Sequence, residues 1–248
     1  MRQGCAKLEL MNQILFARCD PVETFGVALP AMEAVGVPVT VWEALDGEPR
    51  PSLDGVSGVV LFGSSYNVEH VDEQPFIKDA RELTLEAIER EVPYLGVCFG
   101  AQLLAWSLDA PVLKAPVREV GFEPIRPTAA AAGDALVSHL ADGDMEFQWH
   151  MDTFELPPDA TLLVSGDRVR NQAYRVGDRT WGVQFHFEIV RDEMDMWLDT
   201  FEEQDGPLET SWGKSAAVIR DEADRYLEAH ERRGTEVFTR FARLASDR

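Results

Sequence analysis

Lysine is scarce in this chain of 248 residues: only Lys7, Lys78, Lys114 and Lys214 occur, against 44 aspartates and glutamates. The other 19 of the 23 basic residues (23 − 4) are arginines, and the formal net charge is −21. So little positive charge argues against a nucleic-acid partner, because phosphate binding needs a basic face. Many carboxylates with few lysines resemble the surface habit of proteins from salt-adapted organisms, where high salt screens self-repulsion. A halophilic, acidic protein is the expectation. Cysteine is also scarce. Cys5, Cys19 and Cys98 are odd in number, far apart and without a CxxC pair, so neither a disulfide framework nor a zinc site is signalled. No metal and no cofactor is expected, and a reactive thiol is the open possibility. No apolar stretch approaches the roughly 18 residues that suggest a membrane span. The start has no apolar run behind a positive patch, as a signal peptide would. The expectation is a soluble, cytoplasmic protein with no membrane partner.

Hydrophobic residues make up 45% of the chain, enough for a sizeable core. Residues 14–17, 37–41, 56–62 and 94–97 read as strands, the third nearly continuous and apolar, as for a strand covered on both faces. Residues 23–35, closed by Gly36, and 75–90 read as helices. This alternation predicts an α/β fold of three layers, with a mostly parallel central sheet between flanking helices. Residues 112–127 and 161–185 carry short β-like runs and predict a small antiparallel β portion. Helices are expected over 190–203 and 215–245, the latter burying Val218, Tyr226, Leu227, Val237, Phe238 and Phe241. The main domain is placed at 11–203, with an N-terminal extension at 1–10 and a C-terminal helical extension at 204–248 packed on it.

Chemistry concentrates at Gly96-Val97-Cys98-Phe99-Gly100-Ala101-Gln102. An apolar strand runs into Cys98 and a helix follows it, the strand–nucleophile–helix elbow with cysteine in place of serine. Glycines two positions either side suit a turn too tight for side chains. The helix directs its N-terminal N–H groups at Cys98, which favours a thiolate, and the N–H of Phe99 is placed for a developing oxyanion. Cys5 and Cys19 lack such a setting and read as structural. A thiolate needs a base, and the base needs an orienting group. Val183-Gln-Phe-His186-Phe-Glu188 offers both, at the end of a strand and two residues apart. His70, His139 and His230 sit in polar segments that read as surface.

The stretch Gly96 to Leu104 resembles the nucleophile motif of class I glutamine amidotransferases, and Gly182 to Glu188 resembles that family's second motif. Gly63-Ser-Ser-Tyr-Asn-Val68, Arg118-Glu-Val-Gly121-Phe122, Trp149 to Pro158 and Asn171-Gln-Ala-Tyr174 are similar to the amidotransferase domain of GMP synthase. The resemblance implies a flavodoxin-like sheet and a stand-alone enzyme. Cys98 would attack the γ-amide of glutamine or a γ-glutamyl compound, giving a thioester and ammonia. His186 would shuttle the proton and Glu188 would orient it. The Gly63-Ser64 turn would supply a second oxyanion N–H, Gln102 would hold the α-amino/carboxylate end, and Asp152 would recognise the amino group. Ser64 replaces the family's second glycine, and Phe187 replaces the proline between its histidine and carboxylate. No GxxxxGK[ST] motif occurs, so ammonia would pass to a separate synthetase chain. The alternatives are a hydrolase of γ-glutamyl peptides or amines without ammonia transfer, and a non-catalytic regulatory protein on the same fold. A serine-type hydrolase is disfavoured by the cysteine at the elbow.

Overall fold

The computed structural model describes residues 13–247; Cys5, Lys7, Met11 and the expected extension at 1–10 lie outside them. The first half alternates strands and helices: β1 (Gln13–Arg18), α1 (Ala28–Ala34), β2 (Val39–Glu43), β3 (Val56–Leu61), α2 (Pro75–Glu89), β4 (Tyr94–Val97) and α3 (Phe99–Ser107). The second half opens with β5 (Val112–Pro127), β6 (Met145–Phe154), β7 (Thr161–Gly166), β8 (Asn171–Val176) and β9 (Thr180–Val183). It closes with α4 (Arg191–Asp205), α5 (Leu208–Trp212) and α6 (Ala216–Ser246).

These strands form one sheet in the order β2-β1-β3-β4-β9-β8-β7-β5-β6. The first five are mutually parallel; from β9 outward the pairings are antiparallel. Side-chain alternation explains the layers. Ile14 and Phe16 of β1, with Val60 of β3, face one cluster that includes Phe238, Phe241 and Ala245 of α6. Leu15 and Ala17, with Val59 and Leu61, face the other, which includes Ile77 and Leu83 of α2 and Leu103 of α3. A third cluster joins Phe122 and Phe147 of the antiparallel half to Met194, Leu198 and Ile219 on the last helices.

Three expectations need correction. The helix expected over 23–35 is confined to α1, because Phe25 and Gly26 take positive φ of 69° and 37°. Glu23 Oε1, Glu193 Oε1 and the Glu188 carbonyl hold the N–H groups of Phe25, Thr24 and Val27. Val218 is 47% exposed rather than buried, and Tyr226 is only partly buried. His230 is fully buried on α6, with its ring Nδ1 against Glu146 of β6. Helix α6 is more than a cap. At Gly234 it approaches the backbone so closely that a Cβ would lie 2.0 Å from the Phe187 carbonyl oxygen.

Candidate active site

Strands β4 and β9 lie side by side in register, Gly96 against Gly182 and Val97 against Val183. The N–H of Cys98 extends that pairing to the Val183 carbonyl at 2.7 Å. Both chains therefore leave the sheet at its carboxyl edge, where open α/β sheets place their ligand sites. Cys98 sits at the mouth of α3 with φ +50° and ψ −104°, a strained conformation for a residue with a side chain. The flanking glycines are required by space. A Cβ on Gly96 would stand 2.3 Å from the Gly100 carbonyl oxygen, and one on Gly100 would stand 2.1 Å from that of Leu61.

His186 follows β9 and is buried beside Cys98, close enough for the two to interact. Its Nδ1 lies 2.6 Å from Glu188 Oε1, which leaves Nε2 for the sulfur. Burial opposes the imidazolium, but Glu188 and Cys98 together outweigh it and hold His186 well above the usual histidine range. The Cys98 Sγ also accepts from Gln184 Nε2 at 3.6 Å and lies 3.8 Å from the Trp149 carbonyl oxygen. By contrast, Cys19 is fully buried, and burial pushes its thiol up.

The structure brings Cys98, His186, Glu188, Gly63, Ser64 and Phe99 together. Gly63 is needed beside His186, where a Cβ would approach Cε1 to 2.9 Å. Ser64 is outside the left-handed backbone region, so a side chain is tolerated there, and its Oγ accepts from the N–H of Tyr66 at 3.2 Å. Phe187 is buried in the core against Phe185, with ring centroids 4.4 Å apart, and does not close the cavity. Gln102 and Asp152 do not line the cavity beside Cys98. Gln102 Nε2 is spent on Gln184 Oε1 at 3.2 Å and on the Asp152 carbonyl at 3.3 Å. The Asp152 carboxylate pairs with Lys114 Nζ at 2.9 Å. Gln102 is therefore linked to the Cys98 sulfur through Gln184.

The cavity is about 630 Å³ in volume. It is walled by Trp149, Trp197 and Phe201, which the sequence reading left out of the site, and by Asp20 and Glu23 after β1. Asp20 accepts from the N–H groups of Val22 at 3.1 Å and Ser65 at 2.8 Å, fixing the turn that contains Ser64. The signal for Asp20 and Glu23 was their position past the carboxyl end of β1. Trp197 stands edge-on to His186, with ring centroids 5.0 Å apart, and its Nε1 donates to the Val22 carbonyl at 3.1 Å.

Behind His186, Glu23, Glu188 and Glu193 crowd together. Burial first, then Glu188 and Glu193, pushes Glu23 well above the usual carboxylate range. Burial first, then Glu188, pushes Glu193 up to about 7. A carboxyl raised in the fold keeps its proton after the unfolded chain has lost it near 4.5, so stability falls as pH rises from about 4.5 to about 7. Glu193→Gln is expected to remove its own share of that slope, at most about 1.4 kcal/mol per pH unit, and to leave the share of Glu23. Urea unfolding of both proteins at intervals across the window checks this. An unchanged slope would show that Glu193 is ionised throughout.

The model of the family "Glutamine amidotransferase class-I" matches residues 28–201. The chain is 35% identical over 143 residues to the glutamine-hydrolyzing GMP synthase of Porphyromonas gingivalis, covering 57% of this chain but only 26% of that protein. It is 26% identical to the glutamine amidotransferase-like protein YfeJ of Salmonella typhimurium, over 72% of this chain and 76% of that protein. Among solved structures, a glutamine amidotransferase from Methylobacillus flagellatus superposes with a TM-score of 0.84 at 25% identity, covering 94% of this chain and 95% of that one. One from Thermotoga maritima shares the fold, with a TM-score of 0.83 at 24% identity, covering 94% and 98%. With a strained strand-to-helix turn at Cys98, a histidine–carboxylate pair and a family match across most of its length, this chain belongs to the class-I glutamine amidotransferases.

Proposed function

We propose that the chain hydrolyses the γ-amide of glutamine, or of a γ-glutamyl compound, through a Cys98 thioester. The observation that carries this reading is the strained Cys98 facing His186, itself held by Glu188, at the wall of a cavity. The Cys98 sulfur attacks the γ-carbonyl carbon, and a C–S bond forms as His186 holds the thiol proton. The tetrahedral oxyanion is received by backbone N–H groups at Phe99 and Ser64. His186 gives its proton to the nitrogen, the C–N bond breaks, and ammonia or an amine leaves. Water, deprotonated by His186, then attacks the thioester carbon; the C–S bond breaks, His186 gives the proton to the sulfur, and glutamate departs.

The chain spans 26% of the GMP synthase relative. In the amidotransferase form of the reaction, ammonia passes to a separate synthetase chain. Release of a larger amine without transfer is favoured by the cavity of about 630 Å³, a volume typical of sites for drug-sized ligands. The test is ammonia release from glutamine in high-salt buffer, paired with a γ-glutamyl affinity label whose attachment is located by mass. Release together with label on Cys98 is expected. A protein inert to glutamine, with Cys98 unlabelled, would overturn the thioester reading.

A further inference from the structure

The cavity beside Cys98 is lined by Asp20, Glu23, Asp46 and Asp205, and by no lysine or arginine. Asp46 and Asp205 are exposed at its rim, where solvent screens them. Asp20 already holds two backbone N–H groups. Glu23 is different. It is only 2% exposed, and its Oε1 accepts from the N–H of Phe25 at 2.6 Å, while its Oε2 has no partner. Behind it, Glu188 and Glu193 each leave Oε2 without a partner as well. These carboxylates do not converge as metal ligands do, since the described residues contain no acidic, histidine or cysteine group able to hold a metal ion.

Burying carboxylates without opposite charge is costly. Among the described residues, the charge that favours ionised Glu23 is that of His186. Burial and the two neighbouring carboxylates bias Glu23 toward its neutral form, a bias that an arriving cation would reverse. The lining also includes Trp149, Trp197 and Phe201, aromatic rings whose faces attract cations. Resting on the γ-glutamyl amide reading above, we propose that Glu23 is a specificity-determining residue that receives an ammonium group of the substrate. Two ammonium groups are available to it: the α-ammonium of the glutamyl moiety, and a cationic leaving amine. Glu23 stands close enough to His186 to interact with its charge, and His186 protonates the leaving nitrogen. The leaving amine is therefore the favoured source.

The test is calorimetric binding to full-length Cys98→Ala, with and without Glu23→Gln, using two pairs of ligands. Glutamine is paired with glutaramate, which lacks the α-ammonium. The γ-glutamyl amide of diaminobutane is paired with that of butylamine, which lacks the distal ammonium. Glutamine at position 23 keeps the Oε1 that accepts from Phe25. In one pair, Glu23→Gln is expected to weaken the cationic member at least about tenfold more than the neutral one, as for a buried charge pair. That pair identifies the source. With Glu23 intact, the same cationic ligand releases a proton on binding, read from the dependence of the heat on buffer ionisation. This second readout needs no variant at position 23. Equal weakening within both pairs, no proton release, or no binding of any of the four compounds overturns the inference. Wild-type hydrolysis of glutamine under the same conditions shows separately whether the thioester reading stands.

Discussion

Glu188→Gln is expected to slow ammonia release by about 10³- to 10⁴-fold, the loss seen when the orienting carboxylate of a catalytic triad becomes an amide. At a pH high enough to neutralise His186, the same variant is expected to be more stable than wild type. Glu188 is fully buried, bonded to His186 Nδ1 at 2.6 Å, and crowded by Glu23 and Glu193. An amide holds the imidazole without stabilising its charged form, so catalysis suffers. At that pH it also removes one of three buried carboxylates crowded together, so folding gains, by about 1–3 kcal/mol as an order of magnitude. Opposite signs in the two measurements separate an electrostatic role from a packing role. A loss below tenfold, or a loss accompanied by a lower unfolding midpoint, would reject Glu188 as the orienting group. Cys98→Ala, assayed beside it, is expected to show no thioester-dependent release at all.

Gly234→Ala is expected to damage both stability and activity, although position 234 is on α6 and outside the cavity lining. The added methyl would stand 2.0 Å from the Phe187 carbonyl oxygen. The obstacle is backbone, which cannot rotate away. Alanine improves helix propensity by about 1 kcal/mol. The clash costs more, in the upper part of the ~1–3 kcal/mol range for overpacking or beyond it. On its other flank, the same segment touches Gly26, where a Cβ would fall 1.8 Å from the Glu188 carbonyl oxygen. The 186–188 segment is thus held between two glycines, and pushing Phe187 moves His186 and Glu188 with it. Denaturant unfolding and kcat for glutamine check the expectation. The exposed neighbour Thr235→Ala is the control, expected to stay within about 0.5 kcal/mol of wild type. Wild-type kcat in Gly234→Ala would mean that α6 does not position the segment.

The parallel half of the sheet and the Cys98 elbow were legible because each follows from local constraint. A fully apolar run such as β3 must be covered on both faces, and glycines at 96 and 100 are what a tight turn before a helix requires. Strand β6 was not legible, because its pattern is inverted. Its buried side carries Glu146, Gln148, His150 and Asp152, which find partners in His230, Gln172, Glu119 and Lys114. Those partners come from other parts of the chain, so the period-two alternation is present but does not reveal that its polar positions are the buried ones. His230 was misjudged for the same reason, since its partner Glu146 is distant in sequence. The 23–27 loop looked helical because its competing acceptors, Glu193 Oε1 and the Glu188 carbonyl, reach it only in the folded chain. The placements of Gln102 and Asp152 inside a polar network, and of Trp149 and Trp197 on the cavity wall, are likewise decided by long-range packing.

The contact between Gly234 and Phe187 also sets a timetable. Synthesis runs from β1 toward α6, so Cys98, His186 and Glu188 are all made before the helix that backs them. From Glu188 to the end of α6 at Ser246 is 58 residues (246 − 188), about 3–12 s of elongation at ~5–20 residues per second. During that interval the nascent chain carries Cys98 and His186, but the 186–188 segment is missing one wall. Ribosome-bound chains halted before α6 would therefore lack the backbone contact behind Phe187.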